Sequence, residues 1–213
     1  MRRKNIMIFL FLVIVAVTGI WIIQIMNGGM PYVDTFTRDL VAQLGASFLY
    51  EPFLFITHLG SRFFLIPFVT IVSIILALWF RHWLPVVFFA GGTLLSHGLN
   101  ILIKRLVTRE RPSILAEANA VGHSFPSGHA MISMVCYGLL GYFITRKLTA
   151  KWAILTVQII SSFIVFLIGI SRYVINVHYL TDVLVGFFLG YLLLVGFIYL
   201  FQFIWNKRSP SKG

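Results

Sequence analysis

Ser171-Arg172-Tyr-Val-Ile-Asn-Val-His178-Tyr-Leu-Thr-Asp182 places an arginine, a histidine and an aspartate between two long apolar runs. Ionisable groups at the edge of such runs are costly and mark candidate functional positions. His178 and Asp182 are four apart, so on a helix they share a face. A carboxylate there can take the hydrogen bond of one imidazole nitrogen and leave the other free, as a base or nucleophile requires. Arg172 adds a planar fork suited to phosphate oxygens. Taken alone, the stretch equally suits a polar cap where two membrane helices meet.

Two further clusters change that balance. Ser124-Phe-Pro126-Ser127-Gly128-His129 stands directly before an apolar run, and a serine and glycine at a helix start offer N–H groups and a hydroxyl to an anion. His129 read singly is more often structural than catalytic. Lys104-Arg105-Leu-Val-Thr-Arg109-Glu110-Arg111-Pro112 ends another run. For Arg105 and Arg109 the reading is a basic loop that stops the helix. His58, His82, His97 and His123 are read as structural. Together, two histidines, one with an aspartate partner, three cations (Lys104, Arg111, Arg172) and one anion nest suit phosphoryl transfer. The cations and N–H donors neutralise the equatorial oxygens, one histidine attacks phosphorus, and the other protonates the leaving oxygen. The carboxylates are scattered, so no magnesium or other metal site is expected and no cofactor is called for.

Long apolar runs must position these groups. With 59% hydrophobic and 11% charged residues, the chain reads as an all-α polytopic membrane protein, one domain over 1–213. The spanning runs are Ile6–Met26, Phe63–Phe80, Leu84–Ile103, Ala130–Ile144 extended back to Ser127, Trp152–Ile170 and Val183–Ile204, six transmembrane helices in all. The first follows Arg2-Arg3-Lys4 but is too long for a signal peptide and lacks a small-x-small cleavage site. Between the first two spans, Val33, Phe36, Leu40, Val41 and Leu44 alternate with Asp34, Arg38, Asp39 and Gln43. That helical period predicts an interfacial amphipathic helix. Glu51-Pro52 opens a further short segment that Gly60-Ser61 closes. On the third span Gly92, Ser96, Asn100 and Lys104 recur every four residues as a polar stripe. On the sixth, Asp182, Gly186 and Gly190 share a face on which a neighbouring helix can approach closely. The polar tail 206–213 reads as loose.

The net charge of +11 would suggest nucleic acid in a soluble protein. Here the cations flank apolar runs and point to membrane topology instead. With the N-terminus cytoplasmic, the inner segments carry Arg2, Arg3, Lys4, Arg81, Arg146, Lys147, Lys151, Lys207, Arg208 and Lys212, and all 6 acidic residues fall outside. Both termini are then cytoplasmic and the reactive loops extracytoplasmic. The single cysteine, Cys136, excludes a disulfide within the chain. The sequence does not specify an oligomeric state.

The clusters resemble the signature of the type 2 phosphatidic acid phosphatase family, and within it membrane lipid phosphatases of the phosphatidylglycerophosphatase B kind. The three motifs read Lys104-x6-Arg111-Pro112, Pro126-Ser127-Gly128-His129 and Ser171-Arg172-x5-His178-x3-Asp182. The resemblance implies His178 as nucleophile, forming a phosphohistidine, Asp182 as its orienting partner and His129 as general acid. It implies Lys104, Arg111, Ser127, Gly128 and Arg172 as the phosphate-binding set. One departure is Asn176, which stands where many relatives have glycine. The implied activity is metal-independent dephosphorylation of a lipid phosphate or diphosphate (phosphatidylglycerol phosphate, undecaprenyl diphosphate or phosphatidate) at the outer face of a bacterial cytoplasmic membrane. A phosphotransferase using the same site, a transporter or scaffold retaining the motif, and a vanadate-type haloperoxidase are the competing readings.

Overall fold

The computed structural model describes residues 2–45, 47–113, 118 and 120–208, so residues 209–213 of the expected loose tail lie outside the described residues. Among the described residues ten α-helices follow one another: α1 (Arg2–Met26), α2 (Tyr32–Phe36), α3 (Arg38–Gly45), α4 (Tyr50–Thr57), α5 (Arg62–Phe80), α6 (Leu84–Val86), α7 (Gly92–Leu106), α8 (Gly128–Thr145), α9 (Lys151–Val174) and α10 (Leu180–Arg208). A wide π-helical turn, Val87–Gly91, joins α6 to α7 without breaking the rod. Six helical stretches are long and apolar enough to cross a membrane: Lys4–Met26, Arg62–Phe80, Leu84–Leu106, Gly128–Thr145, Lys151–Val174 and Leu180–Lys207. These are the six spans that the apolar runs predict.

Burial is uneven among them, and sequence explains why. α8 has the lowest hydropathy of the six, 1.3, and half of its window is buried, against 6% for α1. A span enclosed by protein need not be apolar all round, so α8 carries Ser133, Cys136 and Gly141 among its buried residues. It packs chiefly on α9 and α10. Glycine permits those contacts. A Cβ on Gly138 would lie 2.4 Å from Leu194 Cδ2 of α10, and one on Gly141 2.6 Å from Ser161 Oγ of α9. α1 is mostly exposed and touches the bundle through Ile25, Trp21 and Ile22, packed against Val107, Phe125 and Val185.

The segment between the first two spans departs from one expectation. A single amphipathic helix from Pro31 is predicted, but the chain forms α2 and α3, which meet at Thr37 (φ −94°, ψ 3°). The carbonyl of Thr37 accepts a hydrogen bond from the Tyr173 hydroxyl at 2.9 Å. That pull from α9 holds the joint bent. Consequently the apolar residues split. Val41 is buried against Ala130, Tyr173, Val174 and Val183, whereas Tyr32, Phe36 and Leu40 remain exposed.

Candidate active site

The last turn of α7, the loop after it, the start of α8, the end of α9 and the start of α10 meet at one end of the bundle. The polar stripe on α7 builds this junction. Gly92 admits Leu139 and Phe197, which a Cβ would meet at 3.0 and 3.3 Å. Asn100, buried, donates from Nδ2 to the Pro126 carbonyl at 3.2 Å. A Cβ on Gly128 would sit 2.9 Å from Asn100 Oδ1, so glycine is needed there for close approach rather than for its φ. Lys104 Nζ donates to the carbonyls of His123 and Ser124 at 2.6 and 3.0 Å. The stripe therefore holds the loop that leads into α8.

Ser127 caps α8, its hydroxyl accepting from the Ala130 N–H at 3.5 Å. Its own N–H donates to the Asp182 carbonyl at 3.0 Å, which ties the start of α8 to the start of α10. Gly186 makes that meeting possible, since a Cβ there would lie 2.7 Å from the Ser127 carbonyl. The Ser127 hydroxyl thus spends a lone pair on the helix, and its proton is what it can offer an anion.

Between α9 and α10 the chain turns through residues 175–179. The N–H groups of Val177 and His178 both donate to the Arg172 carbonyl at 3.1 Å. Asn176 sits at φ 57°, in the left-handed region. Asparagine tolerates that conformation and glycine prefers it, which accounts for the departure from the family pattern without any change of backbone path.

His178 is 2% exposed, with Nδ1 3.3 Å from Asp182 Oδ2 and Nε2 2.9 Å from Arg111 Nη1. A guanidinium only donates, so Nε2 must accept and Nδ1 carries the proton toward Asp182. This is the tautomer a nucleophilic Nε2 needs. Burial first, then the charges of Arg111, Arg172, Lys104 and Arg109, holds the imidazole well below its ordinary value of 6.5. Arg111 also donates to the carbonyls of Val177 at 2.8 Å and Gly122 at 2.9 Å. Burial lowers its guanidinium, with Asp182 opposing.

Arg172 is fully buried, and its Nη1 donates to Thr57 Oγ1 and the Ala118 carbonyl, both at 2.8 Å. Arg172 Nε and His129 Nε2 are buried without a hydrogen-bond partner among the described residues. Buried polar atoms seldom stay unpaired, and two of them beside the His178–Asp182 pair suit an anion with several oxygens.

The structure brings His178, Asp182, His129, Lys104, Arg111, Ser127, Gly128 and Arg172 to this one end. It corrects the reading of Arg109 as a mere helix-stopping basic residue. Arg109 is 7% exposed, donating from Nη1 to Asp182 Oδ1 at 2.6 Å and from Nη2 to Asp34 Oδ2 at 2.7 Å. Its guanidinium lies over the Tyr179 ring, 3.8 Å from the centroid. Sequence reasoning missed both Arg109 and Asp34. Arg105 is exposed, as expected. Among the described residues no three His, Cys, Asp or Glu side chains cluster as metal ligands.

A family model described as PAP2 superfamily matches residues 85–206. Phosphatidylglycerophosphatase B of Bacillus subtilis is 32% identical over 195 residues, covering 89% of this chain and 91% of that protein. Decaprenylphosphoryl-5-phosphoribose phosphatase of Mycolicibacterium smegmatis is 36% identical over 110 residues, 50% of this chain and 53% of that one. A crystal structure of a transmembrane PAP2 type phosphatidylglycerolphosphate phosphatase from Bacillus subtilis superposes with a TM-score of 0.72 at 26% identity, covering 92% of this chain and 98% of that one.

Proposed function

Because this chain belongs to the PAP2 superfamily and is a membrane-embedded lipid phosphatase, we propose that it hydrolyses its lipid phosphate through a phosphohistidine on His178, without a metal, on the extracytoplasmic side. The observation that carries the mechanism is the setting of His178, with Nδ1 3.3 Å from Asp182 Oδ2 and Nε2 2.9 Å from Arg111 Nη1, which implies a proton toward Asp182 and a lone pair on Nε2. When the phosphate enters, Arg111 transfers its hydrogen bond from Nε2 to a phosphate oxygen. Nε2 then attacks phosphorus in line, an N–P bond forms, and the P–O bond to the lipid breaks. His129 gives its proton to the departing oxygen. Water then attacks the phosphohistidine, His129 takes a proton from it, and inorganic phosphate leaves with His178 restored. Arg111, Arg172, Lys104 and the Ser127–Gly128 helix start supply the charge neutralisation that a metal supplies elsewhere.

Among lipid phosphates, phosphatidylglycerol phosphate is the first candidate, supported by the similarity to the Bacillus subtilis enzyme over most of both chains. Undecaprenyl diphosphate and phosphatidate follow, since the site addresses the phosphate and leaves the remainder of the lipid to the membrane. The test is phosphate release by the purified protein from each of the three in mixed micelles, with EDTA, alongside His178→Ala. Release that persists in EDTA and is absent from His178→Ala is the expected result. Loss of release on chelation, or turnover by His178→Ala close to that of the parent, rejects the mechanism.

A further inference from the structure

One buried carboxylate has no role in the chemistry above. Asp34, on the short helix α2, is 3% exposed and far in sequence from the motifs. Its carboxylate accepts from the Thr181 N–H at 3.0 Å, from the Thr181 hydroxyl at 2.6 Å and from Arg109 Nη2 at 2.7 Å. Arg109 Nη1 donates in turn to Thr181 Oγ1 at 2.9 Å and to Asp182 Oδ1 at 2.6 Å. A continuous line of hydrogen bonds therefore runs from α2 through Arg109 to Asp182 and His178. We propose that Asp34 is a positioning residue for the reaction, holding Arg109 and Thr181 so that Asp182 keeps its second oxygen on His178. The inference rests on the nucleophilic role given to His178 above.

The charge arrangement shows why a second carboxylate is needed. The Arg109–Asp182 contact is 2.6 Å, while Asp182 reaches His178 at 3.3 Å. Alone, Arg109 would neutralise Asp182 and leave little field for the imidazole. Asp34 shares the guanidinium, so two carboxylates face one cation and the Asp34–Arg109–Asp182 cluster keeps one net negative charge on the Asp182 side of His178. That charge favours the positive phosphoimidazolium that forms when Nε2 bonds phosphorus. The groups facing His178 are Asp182 on α10, Arg109 and Arg111 from the loop after α7, Lys104 at the end of α7, Arg172 on α9 and His129 on α8. Only Asp182 and, through Arg109, Asp34 are negative. The exposed rings of Tyr32 and Phe36, stacked at 6.1 Å on α2, leave Asp34 as the part of that helix turned inward.

The test is the pH dependence of phosphate release from phosphatidylglycerol phosphate in mixed micelles by the full chain. It compares the parent with Asp34→Asn, Arg109→Met, the double variant and His178→Ala. Asp34→Asn is expected to lose roughly ten- to a hundredfold in kcat with KM within about threefold, as for groups that orient a reacting ligand without touching substrate. Removing the negative charge leaves Arg109 paired with Asp182 alone and disfavours imidazolium, so the acid limb of kcat/KM moves to lower pH by about one unit. In the Arg109→Met background the same substitution is expected to lower kcat by a smaller factor than in the parent, because part of the coupling runs through Arg109.

Parent-like kcat and limb in Asp34→Asn, a loss without limb movement, or equal losses in both backgrounds overturn the inference while leaving His178 in place. Activity in His178→Ala overturns the mechanism and this inference with it. Should Asp34→Asn fail to fold, Thr181→Val removes the hydroxyl shared by Asp34 and Arg109 while keeping both charges, and a parent-like kcat in that variant overturns the inference equally.

Discussion

The proton on His178 decides whether the proposed chemistry can start. With Nε2 accepting from Arg111, protonation of the ring would destroy that hydrogen bond and set two cations 2.9 Å apart. Burial and the four surrounding cations push the imidazole well below 6.5, so the free protein keeps it neutral through mildly acidic pH. The neutral form is the active one and the value is depressed, so activity is present above it and is lost as pH falls through it. The acid limb of kcat/KM, which reports the free enzyme, is therefore expected below pH 6.5. A limb at or above 6.5 in the parent would contradict the described surroundings. Most of this site was legible from residue types and spacing, because His178 and Asp182 are one helical turn apart and the cations stand beside motif residues. Arg109 and Asp34 were not. They pair across 75 residues, and the helical period assigned Asp34 to a water-facing side. A signal did exist: with 6 acidic residues against 17 basic ones, every carboxylate in this chain has more than one cation to answer to.

Elements place those residues, and the contact between α8 and α10 is the tightest constraint. Ser127 and Asp182 belong to different motifs, yet the N–H of one bonds the carbonyl of the other. The contact exists because Gly186 and Gly190 let the α8 backbone lie on α10, with Cβ positions 2.7 Å from the Ser127 carbonyl and 2.6 Å from the Met131 carbonyl. These are backbone atoms, so a side chain at either position cannot be relieved by a rotamer change. Gly186→Leu is expected to cost about 1–3 kcal/mol or more in stability through overpacking, and to lower phosphate release by at least about tenfold by parting His129 from His178. Thermal melting and turnover in detergent measure the two effects, and full activity in Gly186→Leu would show that the contact does not set the register. The glycine face was visible as a four-residue spacing. The break between α2 and α3 was not, since it is caused by a hydrogen bond from Tyr173 on a distant helix to Thr37.

At the scale of the whole molecule, the two ends of the bundle carry different charge. The site end holds Arg38, Arg62, Lys104, Arg105, Arg109, Arg111 and Arg172 together with the described acidic residues, Asp34, Asp39, Glu51, Glu110 and Asp182. Four of those cations are committed by the fold: Arg109 to two carboxylates, Arg172 to Thr57 and Ala118, and Lys104 and Arg111 to loop carbonyls around His178. Arg62 lies over the Phe63 ring at 4.9 Å, and Arg38 and Arg105 are exposed. The opposite end presents Arg81, Arg146, Lys147, Lys151 and Lys207 with no acidic residue among the described ones. Several lie over aromatic rings: Arg146 over Trp205 at 5.4 Å, Lys147 over Phe80 at 4.5 Å and Lys207 over Phe203 at 4.4 Å. Cations over an aromatic girdle suit an interface with anionic lipid, and loops rich in lysine and arginine stay cytoplasmic. This charge distribution supports the proposal that the site faces outward. The lone cysteine permits a direct measurement, because Cys136 is buried within α8 and should not meet a water-soluble thiol reagent. Glu110→Cys, exposed beside the site, is expected to react with a membrane-impermeant maleimide in intact cells. Thr149→Cys, exposed in the turn between α8 and α9, is expected to react only after permeabilisation. Labelling in the reverse order would turn the molecule over and place its substrate in the cytoplasmic leaflet.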